Sequence, residues 1–147
     1  MCLTVNIKQQ YKIAKENIVC YKVLRQLYSD VYYTPCITVK VDVDIVNGKK
    51  PLKADTNIVS LQTQETYANL YATETEKNIK GGWIHTCKLI GGAKFLAKNC
   101  DRLKLGGNYK IYECYIPKGE RYYEGVDRYT GDGYASGSIV FKKEITD

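Results

Sequence analysis

The stretch that most constrains this chain is Tyr109 to Tyr123, which reads Tyr-Lys-Ile-Tyr-Glu-Cys-Tyr-Ile-Pro-Lys-Gly-Glu-Arg-Tyr-Tyr. Its first half is aromatic and β-branched with no breaker, which favours a strand. Pro117 and Gly119 then supply turn chemistry. Lys110 and Glu113 fall on opposite faces, yet tyrosines crowd both. A strand apolar on both sides belongs inside a sheet covered above and below. The segment therefore predicts the central strand.

Other strands follow from pattern. Ile18 to Tyr28 predicts the first, with Val19, Tyr21, Val23 and Arg25 on one face and Cys20, Lys22 and Leu24 on the other. Ile37 to Val46 alternates apolar and polar residues with period two, the mark of a half-buried strand. Asn47-Gly48 follows as a hairpin signal, with a polar return strand expected within Leu52 to Leu61. Gln62 to Asn78 reads as a short helix or loop. Trp83 to Ile90 predicts a strand bounded by Gly81-Gly82 and Gly91-Gly92. Ala93, Leu96, Cys100 and Leu103 then keep helical spacing, and Gly106-Gly107-Asn108 ends that helix. Glu124 to Gly133 reads as a glycine-rich loop and Tyr134 to Lys142 as a last strand. Residues 1–17 read as a polar arm, and 18–147 as a single domain. The expected fold is α+β, with a mostly antiparallel twisted sheet of about six strands and one main amphipathic helix.

At 147 residues the chain is long enough to bury a core without staples. No apolar run approaches the roughly twenty residues of a membrane span, and no secretory leader is read at the start. The expected location is a reducing cytoplasm. Six cysteines occur without any C-x-x-C pair, beside a single histidine. Cys20, Cys87, Cys100 and Cys114 lie in apolar segments and read as small core residues. No metal site or cofactor is expected. Fourteen tyrosines against two phenylalanines point to a hydroxyl-lined core or to a binding surface built on rings.

Charge is concentrated. Between Lys77 and Lys104 lie seven basic residues and one acid, a net of +6 that equals the net charge of the whole chain. A local field of this kind suits an anionic partner, and also a solvated helix face.

Four constellations offer chemistry. Trp83 and His85 point the same way on a strand, where a ring and an imidazole hold a base-like ligand; His85 is equally a structural histidine, and no nucleophile or carboxylate accompanies it to make a triad. Gly91-Gly92, flanked by Lys88 and Lys94, presents amides at a helix start that attract phosphate, or it is a plain turn. Lys118, Arg121, Tyr122 and Tyr123 set cations beside rings, which suits a charged aromatic ligand or a surface turn. Tyr134-Ala-Ser-Gly-Ser, with Ser136, lets a ligand approach the backbone or marks a bulge. Glu74 and Glu76 read as a solvated charge pair.

The pattern Ile18-Val-Cys-Tyr-Lys-Val-Leu, Gly82-Trp-Ile-His, Glu113-Cys-Tyr-Ile-Pro-Lys-Gly-Glu-Arg-Tyr-Tyr-Glu-Gly and Tyr134-Ala-Ser-Gly-Ser-Ile resembles a family of short uncharacterised proteins of phages and prophages of gut bacteria. The resemblance spans most of residues 16–142. It implies an accessory protein acting in the infected bacterial cytoplasm, with no active site to transfer. The strand order has a fainter likeness to ADP-ribosyltransferase-like folds, but their arginine, serine and paired-glutamate elements are out of order here.

The leading expectation is a non-catalytic binder that sequesters a small anionic nucleotide-like ligand, an anti-defence sponge. Trp83, Tyr122 and Tyr134 would supply rings for its base and Lys88, Lys94 and Arg121 cations for its phosphates, with His85 and Ser136 as further ligand-binding residues. A homo-oligomer is expected from the edge strands, and no membrane. The alternative is an inhibitor or adaptor that meets a host protein or nucleic acid through the basic surface. A third reading is a nucleotide-cleaving enzyme with His85 as acid–base group.

Overall fold

The computed structural model describes residues 3–35, 39–54, 76–79, 83–101 and 107–146. Among these, twelve strands form one sheet, against the six or so expected, and its pairings are antiparallel. The strands are β1 (Leu3–Asn6), β2 (Lys12–Ile13), β3 (Ile18–Tyr28), β4 (Val31–Tyr33), β5 (Lys40–Val41), β6 (Leu52–Lys53), β7 (Glu76–Ile79), β8 (Ile84–Cys87), β9 (Asn108–Ile116), β10 (Arg121–Asp127), β11 (Gly131–Ser136) and β12 (Ser138–Ile145). Two helices accompany them, a single turn α1 (Val43–Val46) and the main helix α2 (Ile90–Asp101). Neither is long enough to cross a membrane.

The main sheet path runs β6-β12-β9-β3-β8-β11-β10-β1-β7. The Tyr109–Tyr123 stretch is thus two elements. Tyr109 to Ile116 lies in β9, an interior strand between β3 and β12, whereas Tyr122 and Tyr123 open β10 beyond the Pro117–Glu120 turn. The longest ladder joins β3 to β9, from Ile18↔Ile116 to Gln26↔Asn108. β11 and β12 are consecutive, separated only by Gly137, yet β11 ladders to β8 and β12 ladders to β9. The five-strand segment β12-β9-β3-β8-β11 therefore has adjacent stretches of chain at its two sides and must curl. Its concave face carries the main core, including Cys20, Leu24, Ile84, Tyr112, Cys114, Ile116, Tyr134, Ile139 and Phe141.

The opposite face is covered in two places. Ala93, Leu96 and Ala97 of α2 pack on Tyr21, Val23, Cys87, Tyr109 and Ile111. Alternation along β3 is as read: Tyr21 and Val23 go under the helix, Cys20 and Leu24 into the concave core. Further along, Leu3, Val5, Ile79, Trp83, Tyr123 and Ala135 form a second cluster.

Three expectations are corrected. Residues 1–17 are more than an arm, because Leu3 and Val5 are buried and β1 joins β7 and β10. The alternating segment becomes a strand only at Lys40–Val41. Asp42 then N-caps α1, accepting from the Asp44 amide at 2.8 Å. Asn47-Gly48 closes this turn, with Gly48 at φ 78°, and makes no hairpin. Residues 124–133 are no loop: Tyr122 to Asp127 pair with Gly131 to Ser136, so β10 and β11 form a hairpin about the 128–130 turn. The expected elements within 55–75, the part of the Ile37–Val46 strand at 37–38, and Leu103 and Gly106 lie outside the described residues.

Candidate functional site

Register decides which of the eight expected ligand residues share a face, because residues opposed across antiparallel strands project to the same side. His85 opposes Ala135, which opposes Tyr123. Trp83, His85 and Arg121 therefore lie on the convex, helix-bearing side. Ile84 opposes Ser136, which opposes Tyr122, and Thr86 opposes Tyr134. Tyr122, Tyr134 and Ser136 therefore belong to the concave side, and the sheet itself separates the two groups.

On the convex side Trp83 is 3 % exposed. It meets the Tyr123 ring edge-on, with centroids 5.2 Å apart. The Arg121 guanidinium lies over Trp83 and over Tyr11, 5.8 Å from each ring centre, so the slot beside Trp83 is filled by the chain's own cation. His85 Nδ1 is 3.0 Å from the Trp83 carbonyl and Nε2 is 3.0 Å from the Ile79 carbonyl. Its own carbonyl accepts from the Lys22 ammonium at 2.8 Å. Burial pushes the imidazole down to about 4, partly offset by the two carbonyls, while Lys22 lowers it further. With both nitrogens held by backbone, His85 ties β7 to β8 and offers no face for proton transfer to a substrate.

On the concave side Ser136 is fully buried and donates to the Ser138 carbonyl at 3.1 Å. Tyr134 packs edge-on to Tyr122 at 6.0 Å. Lys88 also turns to this side, where its ammonium binds Glu124 at 2.8 Å. The thiols are core residues as expected: Cys20 and Cys114 face one another across β3 and β9. Burial raises Cys20 to about 12 and raises Cys114 as well, so neither supplies a thiolate. Among the described residues no cluster of His, Cys, Asp and Glu suits a metal ion.

Lys94, the last of the eight, stands on α2. The helix has one face inward through Ala93, Leu96, Ala97 and Cys100, and this phase turns Lys94, Phe95 and Lys98 to solvent. Phe95 is 48 % exposed, and Leu89, just before the helix, 60 %. Phe95 is thus an exposed ring flanked in sequence by Lys94 and, one turn on, by Lys98 on the outward side of the helix. The helical spacing already implies the outward Phe95, since it sits one position off Leu96; attention to lysines alone passes over it.

The paired glycines at the start of α2 have a packing reason. A side chain at Gly92 would run into the Thr130 carbonyl oxygen of the β10–β11 turn, whereas one at Gly91 meets nothing within 4 Å. Gly92→Ala is expected to cost about 1–3 kcal/mol through forced displacement of backbone. Gly91→Ala is expected to be neutral or to gain up to about 1 kcal/mol of helix propensity. Paired urea titrations check this, and equal effects at both positions would remove the packing reading.

No protein-family model matches this chain, and neither a curated protein nor a solved structure is similar enough to count as a match.

Proposed function

We propose that this protein acts without catalysis, by binding an anionic partner through the outer face of α2. The observation that carries this reading is the exposure of Phe95 between Lys94 and Lys98 on the outward side of α2, whose other side packs on the sheet, with Leu89 exposed just before the helix. Aromatic residues are enriched where protein surfaces meet, and flanking charges give such contacts their specificity. A small nucleotide-like ligand would require rings and cations to converge in one hollow. Trp83 is covered, Arg121 already stacks on it, and Tyr134 and Ser136 are on the other side of the sheet. The basic-surface reading is therefore preferred to the sponge.

The partner class follows from shape. Proteins that hold single-stranded nucleic acid present a groove with successive stacking rings. The outer face of α2 is convex and carries one ring. An apolar contact flanked by ammonium groups fits a protein surface with an apolar spot rimmed by carboxylates. Selection of a displayed random-peptide library on the protein tests this. Enrichment of sequences that combine Asp or Glu with bulky apolar residues is expected, along with loss of their binding to Lys94→Glu/Phe95→Ser/Lys98→Glu. Enriched peptides without acidic residues would overturn the proposal, as would salt-sensitive binding of labelled oligo(dT) that this variant abolishes.

A further inference from the structure

The turn between β10 and β11 holds one ring outward beside the start of α2. Asp127, itself buried, accepts from the amides of Tyr129 and Thr130 at 2.8 and 3.0 Å, a side-chain-to-backbone pattern that fixes such turns. Gly131 then reverses the chain at φ 80°. The Lys88 amide donates to the Asp132 carbonyl at 2.9 Å, so the turn is tied to the segment that leads into α2. Tyr129, on this braced turn, is 67 % exposed. A large ring held in water by a fixed backbone binds with little further ordering.

Contact between turn and helix places this ring. The Thr130 carbonyl oxygen lies where a Gly92 side chain would project. Gly92 stands three residues after Leu89 and three before Phe95, and the Leu89 carbonyl accepts from its amide at 3.2 Å. Residues three apart on a helix are neighbours, with about 5–6 Å between their Cβ atoms. Thr130 therefore rests between the positions of the two exposed apolar residues at α2, and Tyr129 precedes it in the chain. The Arg128 guanidinium lies over the Tyr129 ring, 5.9 Å from its centre. That face of the ring is closed to a stacking base, and the exposed remainder suits a protein contact.

We propose that the partner surface of α2 continues onto this turn, with Tyr129 as its second anchor. The partner is a protein segment that sets one apolar group against Phe95 and another against Tyr129, with acidic residues suited to the basic outward side of the helix. Tyrosine is among the residues that dominate such contacts. This rests on the α2 reading and adds to it a residue outside the helix.

The affinity of an enriched acidic–apolar peptide for the unmodified chain, Tyr129→Ser, Tyr129→Phe and Phe95→Ser tests this. Tyr129→Ser is expected to bind about tenfold more weakly. Tyr129→Phe keeps the ring and is expected to bind as the unmodified chain does. The peptide is also expected to shift the amide NMR signals of Thr130 and Gly131 along with those of α2. An unchanged melting temperature of Tyr129→Ser shows that the loss is not one of fold, since exposed substitutions cost little stability. Weaker binding by Phe95→Ser with full affinity in Tyr129→Ser would overturn the inference and leave the α2 reading standing. Full affinity in both would end the α2 reading as well. Loss in Tyr129→Phe as large as in Tyr129→Ser would overturn the ring as anchor, as would salt-sensitive binding of labelled oligo(dT) that Tyr129→Ser abolishes.

Discussion

Trp83→Ala is expected to lower stability by about 3–5 kcal/mol, the range for emptying a large aromatic from a core. For a chain of 147 residues, that corresponds to a fall in melting temperature of very roughly 10 °C. The reason is the second cluster on the convex side. Trp83 packs with Leu3, Val5, Ile79, Tyr123 and Ala135 and so joins residues from β1, β7, β10 and β11. Loss of the indole unpins the β1–β7 edge of the sheet. A tryptophan serving as a ligand platform would behave otherwise: its removal from an exposed slot would cost within about half a kcal/mol. Because Trp83 is the only tryptophan in the chain, its fluorescence reports directly. Blue-shifted emission resistant to iodide is expected in the folded protein, and red, readily quenched emission would contradict the packing described.

The second large effect is acid sensitivity through His85. A neutral imidazole carries one N–H, yet both ring nitrogens face carbonyl oxygens at 3.0 Å. The geometry favours the cation and burial opposes it; burial is the larger effect and leaves the group near 4, against 6.5 ordinarily. The unfolded chain therefore binds the proton more readily between those two values. The stabilisation linked to the neutral ring is complete above about pH 6.5 and is lost as pH falls toward 4. The full shift corresponds to about 3 kcal/mol, and because His85 is only half-buried as a residue the expected loss is roughly 1–2 kcal/mol. His85→Gln keeps a donor for one carbonyl and should flatten the stability profile across that window. His85 is the only histidine, so its ring resonances titrate without ambiguity, and a midpoint between 6 and 7 would refute the burial argument.

Much of the sheet was legible where local pattern and tertiary packing agree. Ile18 to Tyr28 is a strand over the whole predicted span, because β-branched residues run unbroken and Ser29-Asp30 stops them. The inward face of α2 likewise followed from Ala93, Leu96 and Cys100. Pattern failed where one polar residue redirected the chain. The Asp42 carboxylate caps a helical turn in the middle of the Ile37–Val46 alternation, and capping wins locally over a period-two pattern. Glycine misled in the 124–133 region. Gly125 and Gly133 oppose each other across β10 and β11, and each meets a backbone carbonyl of the next strand, Thr4 or Thr86. They serve close strand packing, which in sequence looks the same as a loop.

The candidate site was legible in direction but not in depth. Trp83 and His85 do project together, as their spacing required. Nothing local encodes that Arg121, nearly forty residues on, stacks over the indole, or that the sheet separates His85 from Tyr134.

The most direct test is the affinity of an enriched acidic–apolar peptide for three proteins: the unmodified chain, the Lys94→Glu/Phe95→Ser/Lys98→Glu variant, and Arg121→Gln. Loss of more than about tenfold is expected in the α2 variant, since it removes a central apolar contact and reverses the flanking charges; Arg121→Gln is expected to bind as the unmodified chain does. Equal affinity across the α2 change, or loss confined to Arg121→Gln, would contradict the assignment and return the site to the rings around Trp83.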